Sequence, residues 1–372
     1  MNSITYEQAG VSVEAGDTVA KLVKEGIKSS LSKNVMNASG GFAGFYDISG
    51  SNLRPNGEVI AQPVLVTSTD GIGTKIAIAS AIDKHDTIGD DLVAMVVDDI
   101  VVSGATALFM TDYICCGRVF PARISEIVLS IANACSKAGV SLVGGETAEH
   151  PGLLEPDEYD VAGAATGIID KRDILGPELA QVGDVVVGLA SSGLHSNGFS
   201  LVRAVVDNAG WNYSRSVPEL ATPENLHPTL GEALLTPTRI YTKLCLEILQ
   251  NVGVHAFSHI TGGGIASNLA RILPKGTIGI IQRSKWEVPQ IFNTIKELGN
   301  LEQQVMESTL NMGLGMLAVV SPDDAKTTIS ISQNAGVDAF VVGKIEAVDL
   351  ANVCEKVTSN TKGVEGGQAV LV

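Results

Sequence analysis

Three times in this chain a short apolar run breaks into a glycine-bearing turn. Residues 63–69 precede Asp70-Gly71-Ile72-Gly73, 140–143 precede Gly144-Gly145, and 184–190 precede Ser191-Ser192-Gly193. A fourth such turn, Thr261-Gly262-Gly263-Gly264, stands before a helical segment. Strand, tight turn and helix in recurring order predict an α/β (α+β) architecture. The 40 glycines fit many such turns rather than a low-complexity tail. At 372 residues the chain is longer than the ~250–300 at which one core stops growing, so two domains are expected. The boundary falls at residues 171–177, where polar residues and Gly176-Pro177 interrupt the alternation, giving domains 1–172 and 173–372. The halves read as two α/β units joined edge to edge.

Hydrophobic periodicity and stop signals predict helices over residues 18–31, 90–103, 122–137 with Gly139 as stop, 198–208, 237–250, 265–272 and 288–298. Strands are expected over 107–115, 159–169 and 276–282, and near Met316, Phe340 and Ala369. Residues 39–45, with Gly40, Gly41 and Gly44, read as a mobile glycine-rich loop.

A net charge of −16 with scattered Lys and Arg argues against nucleic-acid or anionic-membrane partners, which demand basic patches. A phosphate ligand would have to be met by local backbone N–H groups, a few cations or a divalent metal. The five cysteines form no CxxC pair and read as reduced thiols. The first residues lack a secretory pattern and no apolar run reaches membrane-spanning length, so a cytoplasmic place is expected.

The segment Gly144-Gly145-Glu146-Thr147-Ala148-Glu149 joins two glycines to two carboxylates and a hydroxyl in what reads as a loop. Glu146 and Glu149 are hard oxygen ligands of the kind Mg²⁺ prefers, although a solvated turn explains the same residues. Asp70-Gly71-Ile72-Gly73-Thr74-Lys75 could turn backbone N–H groups toward a phosphate while Lys75 supplies charge. Its order is not that of a P-loop, because Thr74 precedes Lys75. On the helix over 90–103, Val93, Val96, Val97 and Ile100 mark a buried stripe. Asp99 flanks that stripe and is the candidate metal ligand or acid/base, whereas Asp98 reads as a solvated face. Ser196 or Asn197 sits where an N-cap belongs, and capping explains both without a ligand. His195 and His259 each adjoin a glycine-rich helix start, a place suited to an anion. No GxSxG, HExxH or zinc spacing occurs, which removes the common hydrolase readings.

Taken together these segments resemble the phosphoribosylformylglycinamidine cyclo-ligase, or aminoimidazole ribonucleotide synthetase, family across nearly the whole chain. The carriers are DGIGTK at 70–75, HDTIG at 85–89, DLVAM at 91–95, GGETAE at 144–149 with PG at 151–152, and DVAG at 160–163. They continue with SSGLHSNGFSLVR at 191–203, LLTPTRIY at 234–241, HITGGG at 259–264 and NMGLGM at 311–316. Related kinases and maturation proteins carry GGDT-like or GGHT-like turns instead. The chain departs from the family at Asp98, commonly Asn, and at His150, Ala164, Ser308 and Leu310.

The resemblance implies a two-domain fold whose N-terminal strands form a dimer-interface β-barrel with a second copy. It also implies binding of ATP and Mg²⁺ and a small ribonucleotide substrate. ATP would phosphorylate the formyl amide oxygen of formylglycinamidine ribonucleotide, and the amidine nitrogen would then displace phosphate to close the imidazole ring. Asp70, Asp99 and Glu146 are the implied metal ligands, with Lys24, Gly71, Gly73, Thr74, Lys75 and Thr147 beside the nucleotide and the loop Gly40 to Gly44 closing over ATP to exclude water. Ser192, His195, Ser196, Asn197, Gly262, Gly263 and Gly264 are the implied substrate contacts. His195, His259 and Asp99 are the implied catalytic groups. Two other readings fit the same motifs: a diverged paralogue phosphorylating another small molecule, and a non-catalytic nucleotide-binding dimer.

Overall fold

The computed structural model describes residues 12–36, 43–49, 58–223, 225–348, 357–359 and 365–372. The expected closing loop at Gly40 to Gly44 falls largely outside them. The first part runs α1 (Val13–Ile27), β1 (Pro63–Gly71), α2 (Ile76–Ile82), α3 (Ile88–Val101), β2 (Thr106–Cys116), α4 (Pro121–Ala138), β3 (Ser141–Glu149) and β4 (Tyr159–Asp170). Its sheet has the order β1-β4-β2-β3, antiparallel except for the β2–β3 pair. Pro121 opens α4 at its first position and Gly139, at φ 80°, closes it in the left-handed region, the usual proline-start and glycine-stop arrangement.

One face of this sheet carries α3 and α4, with Ile114 and Val161 of the strands and Val93, Val96, Val97 and Ile100 of α3 all buried. The other face is largely uncovered by the described residues: Leu65 and Tyr113 are 64% and 41% exposed. In one chain the sheet is therefore an open half-layer with β1 and β3 as edges.

After two single 3₁₀ turns, Lys171–Asp173 and Pro177–Leu179, the second part begins. It runs β5 (Val185–Ala190), α5 (Phe199–Asn208), α6 (Leu230–Leu234), α7 (Thr242–Asn251), β6 (Val254–His259), α8 (Gly264–Arg271) and β7 (Thr277–Ile281). Then come α9 (Gln290–Gly299), α10 (Gln303–Thr309), β8 (Leu314–Val320), α11 (Ala325–Asn334), β9 (Ala339–Ala347), β10 (Thr358–Ser359) and β11 (Gln368–Leu371). The sheet order is β10-β11-β7-β9-β5-β8-β6, antiparallel except between β11 and β7.

Three expectations from the sequence are overturned. Residues 144–149 are not a loop but the second half of β3. Gly145 lies under the Asp112 side chain, where an added Cβ would sit 1.7 Å from Oδ1, so its glycine answers to close packing within the sheet. Second, no helix starts at Pro237: α7 begins at Thr242, and the backbone N–H groups of Thr238 and Tyr241 bond to carboxylates of α3. Third, the two sheets do not meet edge to edge, because α3 lies between them and packs on α7.

Candidate functional site

Helix α3 positions the site because every residue from Ile88 to Val101 is buried except Asp99. The Val93–Ile100 stripe faces its own sheet. On the other side Asp91, Met95 and Asp98, spaced four and seven residues along one face, meet the second domain. Asp91 Oδ1 accepts from Thr238 N at 3.0 Å and Thr238 Oγ1 at 2.5 Å. Met95 Sδ accepts from Asn197 Nδ2 at 3.2 Å. Asp98 accepts from Tyr241 N at 3.0 Å and Thr242 Oγ1 at 2.7 Å. Asp98 is thus a fully buried interdomain bond, not a solvated face. Burial pushes its carboxyl up to about 6 against the charge of His259 and the bonds from Thr242 and Tyr241.

Asp99, one residue on and about 100° around the helix, turns instead to the end of β6. His259 Nδ1 lies 2.8 Å from Asp99 Oδ1, and the Asp99 side chain is 45% exposed. A carboxylate only accepts, so the Nδ1 proton faces Asp99 and leaves His259 Nε2 to act elsewhere. Nε2 is buried and has no partner among the described residues. Burial works against a charge on His259, but the bond to Asp99 and the charges of Asp98, Asp99 and Asp70 hold its pKa above the ordinary value. Asp70, near the end of β1, therefore shares this field.

His195 approaches from the second domain in the left-handed region, at φ 62°. Its Nε2 accepts from Ser192 N at 3.2 Å, which leaves the proton of the neutral ring on Nδ1. Nδ1 too is buried and without a partner among the described residues. Burial, followed by the positive charges of His259, Lys75 and Arg239, holds the His195 pKa well below its usual value. An unpaired buried donor costs about 1–3 kcal/mol, a penalty that a ligand acceptor would remove.

The glycine turns meet at Asn197, whose Oδ1 accepts from Gly262 N at 2.9 Å. The expectation of Ser196 or Asn197 as N-cap is corrected here: Gly198 occupies that position for α5 and Gly263 for α8, neither with a side-chain cap. Ser196 Oγ donates to Ile72 O and Ser192 Oγ to Pro237 O, so both hydroxyls brace the turn. Gly264 is fixed by packing, because an added Cβ would lie 1.8 Å from Glu307 O, whereas Gly262 has only Asn197 Oδ1 at 3.5 Å. Thr74 Oγ1 lies 3.1 Å from Ser200 Oγ, and Gly71 and Gly73 stay with the β1 turn.

Other predicted residues stand apart. Glu146 is in register with Tyr113, Ala162 and Gly71 across the sheet, three strands from β1 and so about 14 Å away. That row faces the open side, while Asp70 shares the opposite face with buried Asp112. The set Asp70, Asp99 and Glu146 does not assemble within one chain, and no group of three or more His, Cys, Asp or Glu placed to hold a metal ion forms among the described residues. Thr147 follows on the helix-facing side, and Lys24 is exposed in the last turn of α1. Lys75, expected to face a phosphate, is fully buried with its three donors committed to Asp91, His195 O and Thr236 O. Asp70 and Asp99 remain a chemically suitable pair, because Mg²⁺ on a nucleotide needs only one or two carboxylates besides phosphate oxygens.

Sequence reasoning missed Asp91, Thr238 and Asn311. Asn311 donates to Gly193 O at 3.0 Å and accepts from Gly313 N at 2.8 Å, bracing the His195 turn from the NMGLGM segment. The seven-residue spacing of Asp91 and Asp98 was a usable signal for a second buried face on α3.

The chain matches the AIR synthase related protein family twice: its N-terminal domain over residues 57–169 and its C-terminal domain over residues 181–353. The phosphoribosylformylglycinamidine cyclo-ligase of Lachnospira eligens is 44% identical over 344 residues, covering 92% of this chain and 97% of that one. The protein of the same name from Geobacillus kaustophilus is 44% identical over 340 residues, covering 91% and 95%. Among solved structures, thiamine-monophosphate kinase from Stenotrophomonas maltophilia superposes with a TM-score of 0.64 at 14% identity, over 94% of this chain and 95% of that one. Hydrogenase maturation protein HypE in complex with ATP does so with a TM-score of 0.64 at 16% identity, over 99% and 94%. At such identities the likeness is one of fold.

Proposed function

This chain belongs to the AIR synthase related family, and on that premise we propose that it carries out the reaction its curated relatives are named for. It is a ligase of purine biosynthesis. The reaction is ATP-dependent ring closure of formylglycinamidine ribonucleotide to aminoimidazole ribonucleotide, with release of ADP and phosphate. The observation that carries the mechanism is the pair of buried imidazoles, each with one ring nitrogen left without a partner among the described residues.

Phosphorylation converts the formyl amide oxygen into a leaving group. The amidine nitrogen then attacks the same carbon, the C–O bond breaks, and a proton leaves the nitrogen as the ring closes. Such chemistry needs positioning and charge neutralisation more than a protein nucleophile. His259, whose hold on a proton Asp99 strengthens, suits stabilisation of negative charge on the transferring phosphoryl or the departing oxygen. His195, held neutral, offers Nδ1–H as a fixed hydrogen-bond donor to the substrate. The uncapped starts of α5 and α8, tied together by Asn197 and Gly262, suit the ribonucleotide phosphate. Mg²⁺ on ATP would be held by Asp70 and Asp99 and would neutralise phosphate charge.

We also propose a homodimer in which a second copy covers the open face of the first sheet. Leu65 and Tyr113, exposed, and the edge of β1, which no described strand pairs, support it. Glu146 then lies at that interface rather than beside Asp99. A cytoplasmic place accords with the pathway, and no helix among the described residues is long and apolar enough to cross a membrane.

The test is to incubate the protein with ATP, Mg²⁺ and formylglycinamidine ribonucleotide. The expected result is aminoimidazole ribonucleotide, ADP and phosphate in equal amounts. A phosphorylated product without free phosphate would indicate a kinase, and ATP binding without turnover would indicate a nucleotide-binding dimer.

A further inference from the structure

Lys75 belongs to the DGIGTK segment, yet its structural surroundings are unlike those of a phosphate-binding lysine. Its side chain is fully buried, and its ammonium has one acceptor for each proton: Asp91 Oδ1 at 2.7 Å, Thr236 O at 2.8 Å and His195 O at 2.9 Å. The Phe199 ring lies beside it, 5.4 Å from Nζ to the centroid. The three acceptors come from α3, from the turn carrying His195 and from the segment leading into α7. A buried ammonium is retained only where its charge is paired and its donors satisfied, and both conditions are met here.

Two of those acceptors are main-chain carbonyls of the second domain, and one belongs to His195 itself. His195 stands at φ 62°, a conformation that non-glycine residues adopt only when their surroundings impose it. The turn is held at other points by Ser192 Oγ on Pro237 O at 2.6 Å and Ser196 Oγ on Ile72 O at 2.8 Å. Asp91 completes the arrangement by holding Thr238, two residues after Thr236. We propose that Lys75 is a positioning residue: its ammonium clamps the carbonyl oxygens of His195 and Thr236 and so fixes where the His195 imidazole stands in the cleft. The proposal rests on the reading of the 191–198 turn as part of the substrate site. A guanidinium would not substitute, because its planar fork cannot reproduce three acceptors gathered around one nitrogen.

The test uses Lys75→Met combined with Asp91→Asn, which leaves no unpaired buried charge while the amide oxygen keeps the bonds from Thr238. Lys75→Arg is made in parallel. Amide hydrogen exchange of residues 191–198 is compared with that of β6 and β8, without substrate. Steady-state ring closure is then measured for each variant.

The double variant is expected to fold, with exchange rising by roughly tenfold or more in 191–198 and unchanged in the two strands. Its kcat should fall roughly 10²-fold, the scale of a reacting group displaced by about 1 Å, while KM for ATP stays within about twofold. Lys75→Arg should not restore kcat. Unchanged exchange at 191–198 in the folded double variant would overturn the clamp. Raised exchange with wild-type kcat would overturn its role in the reaction. Should the wild-type protein fail to close the ring, the functional reading falls by itself, and exchange still decides the clamp.

Discussion

His259 Nδ1 and Asp99 Oδ1 stand 2.8 Å apart although 160 residues separate them, one at the end of a strand in the second domain and the other on the central helix of the first. The pair crosses the domain seam beside Asp98, which bonds the same two domains through Tyr241 and Thr242. Neighbouring residues of one helix thus serve different ends: Asp98 holds the domains together and Asp99 orients a histidine in the cleft.

Asp99→Asn should lower kcat by roughly 10²-fold or more, the range lost when an acid–base group loses its charged partner. Because Asp99 is half-exposed, stability should change by less than about 0.5 kcal/mol. Asp99 raises the His259 pKa, so the alkaline limb of the pH–rate profile should move to lower pH in the variant. Turnover and pH profile equal to wild type would remove Asp99 from the site.

Asp98→Ala leaves the Tyr241 N–H and the Thr242 hydroxyl buried without an acceptor, at a cost of roughly 2–5 kcal/mol in urea unfolding. Asp98→Asn keeps an oxygen for both donors and removes a charge that burial disfavours. It should fall within about 1 kcal/mol of wild type. A loss in Asp98→Asn as large as in Asp98→Ala would show that the charge, rather than the bonds, holds the seam.

The glycines of the 262–264 turn should separate by role. Gly264→Ala drives a Cβ toward Glu307 O and demands φ 70° of an alanine, so it should destabilise by about 2 kcal/mol or more. Gly262→Ala meets only Asn197 Oδ1 at 3.5 Å, so stability should hold while KM for the ribonucleotide rises. Thermal melts and steady-state kinetics on the two proteins check this. A destabilised Gly262→Ala would make the turn structural throughout.

Asp112 is buried, and its carboxyl is pushed up to about 7 from an ordinary 3.8. Between those values the folded chain keeps a proton that the unfolded chain has released, so this group's contribution to stability falls as pH rises from about 4 to about 7. Asp112→Asn does not titrate. Its stability relative to wild type should therefore climb through that window by an amount of order 4 kcal/mol, then level off. Urea unfolding of both proteins at pH 4.5, 6 and 8 measures the difference, and a flat difference would mean that Asp112 is ionised in the folded state.

Much of the architecture was legible because strand and helix periods alternate cleanly in the chain. The strand at 159–170 and the helix ended by Gly139 fall where apolar spacing and stop residues put them. Gly144-Gly145 misled because glycine beside glutamate has the composition of a turn, whereas the first requirement at Gly145 is space for Asp112. Asp98 misled for a different reason. An apolar stripe marks the helix face that meets oil-like neighbours, but the second buried face of α3 is joined through Asp91, Met95 and Asp98, and polar residues at helical spacing look solvated. Lys75 looks anion-binding because its sequence neighbours are glycines, yet two of its three partners lie 120 and 161 residues away, beyond the reach of any local pattern.

Helix α3 presents Asp91 and Asp98 to one domain seam and Asp99 to the cleft, with the valine stripe fixed against the sheet. Its numbering is therefore a mechanical part of the protein. A single residue inserted between Asp91 and Asp98 would turn everything beyond it by about 100°, exchanging an interdomain bond for a cleft carboxylate while leaving composition and helix propensity almost untouched. This stretch should consequently accept many conservative exchanges and no change of length.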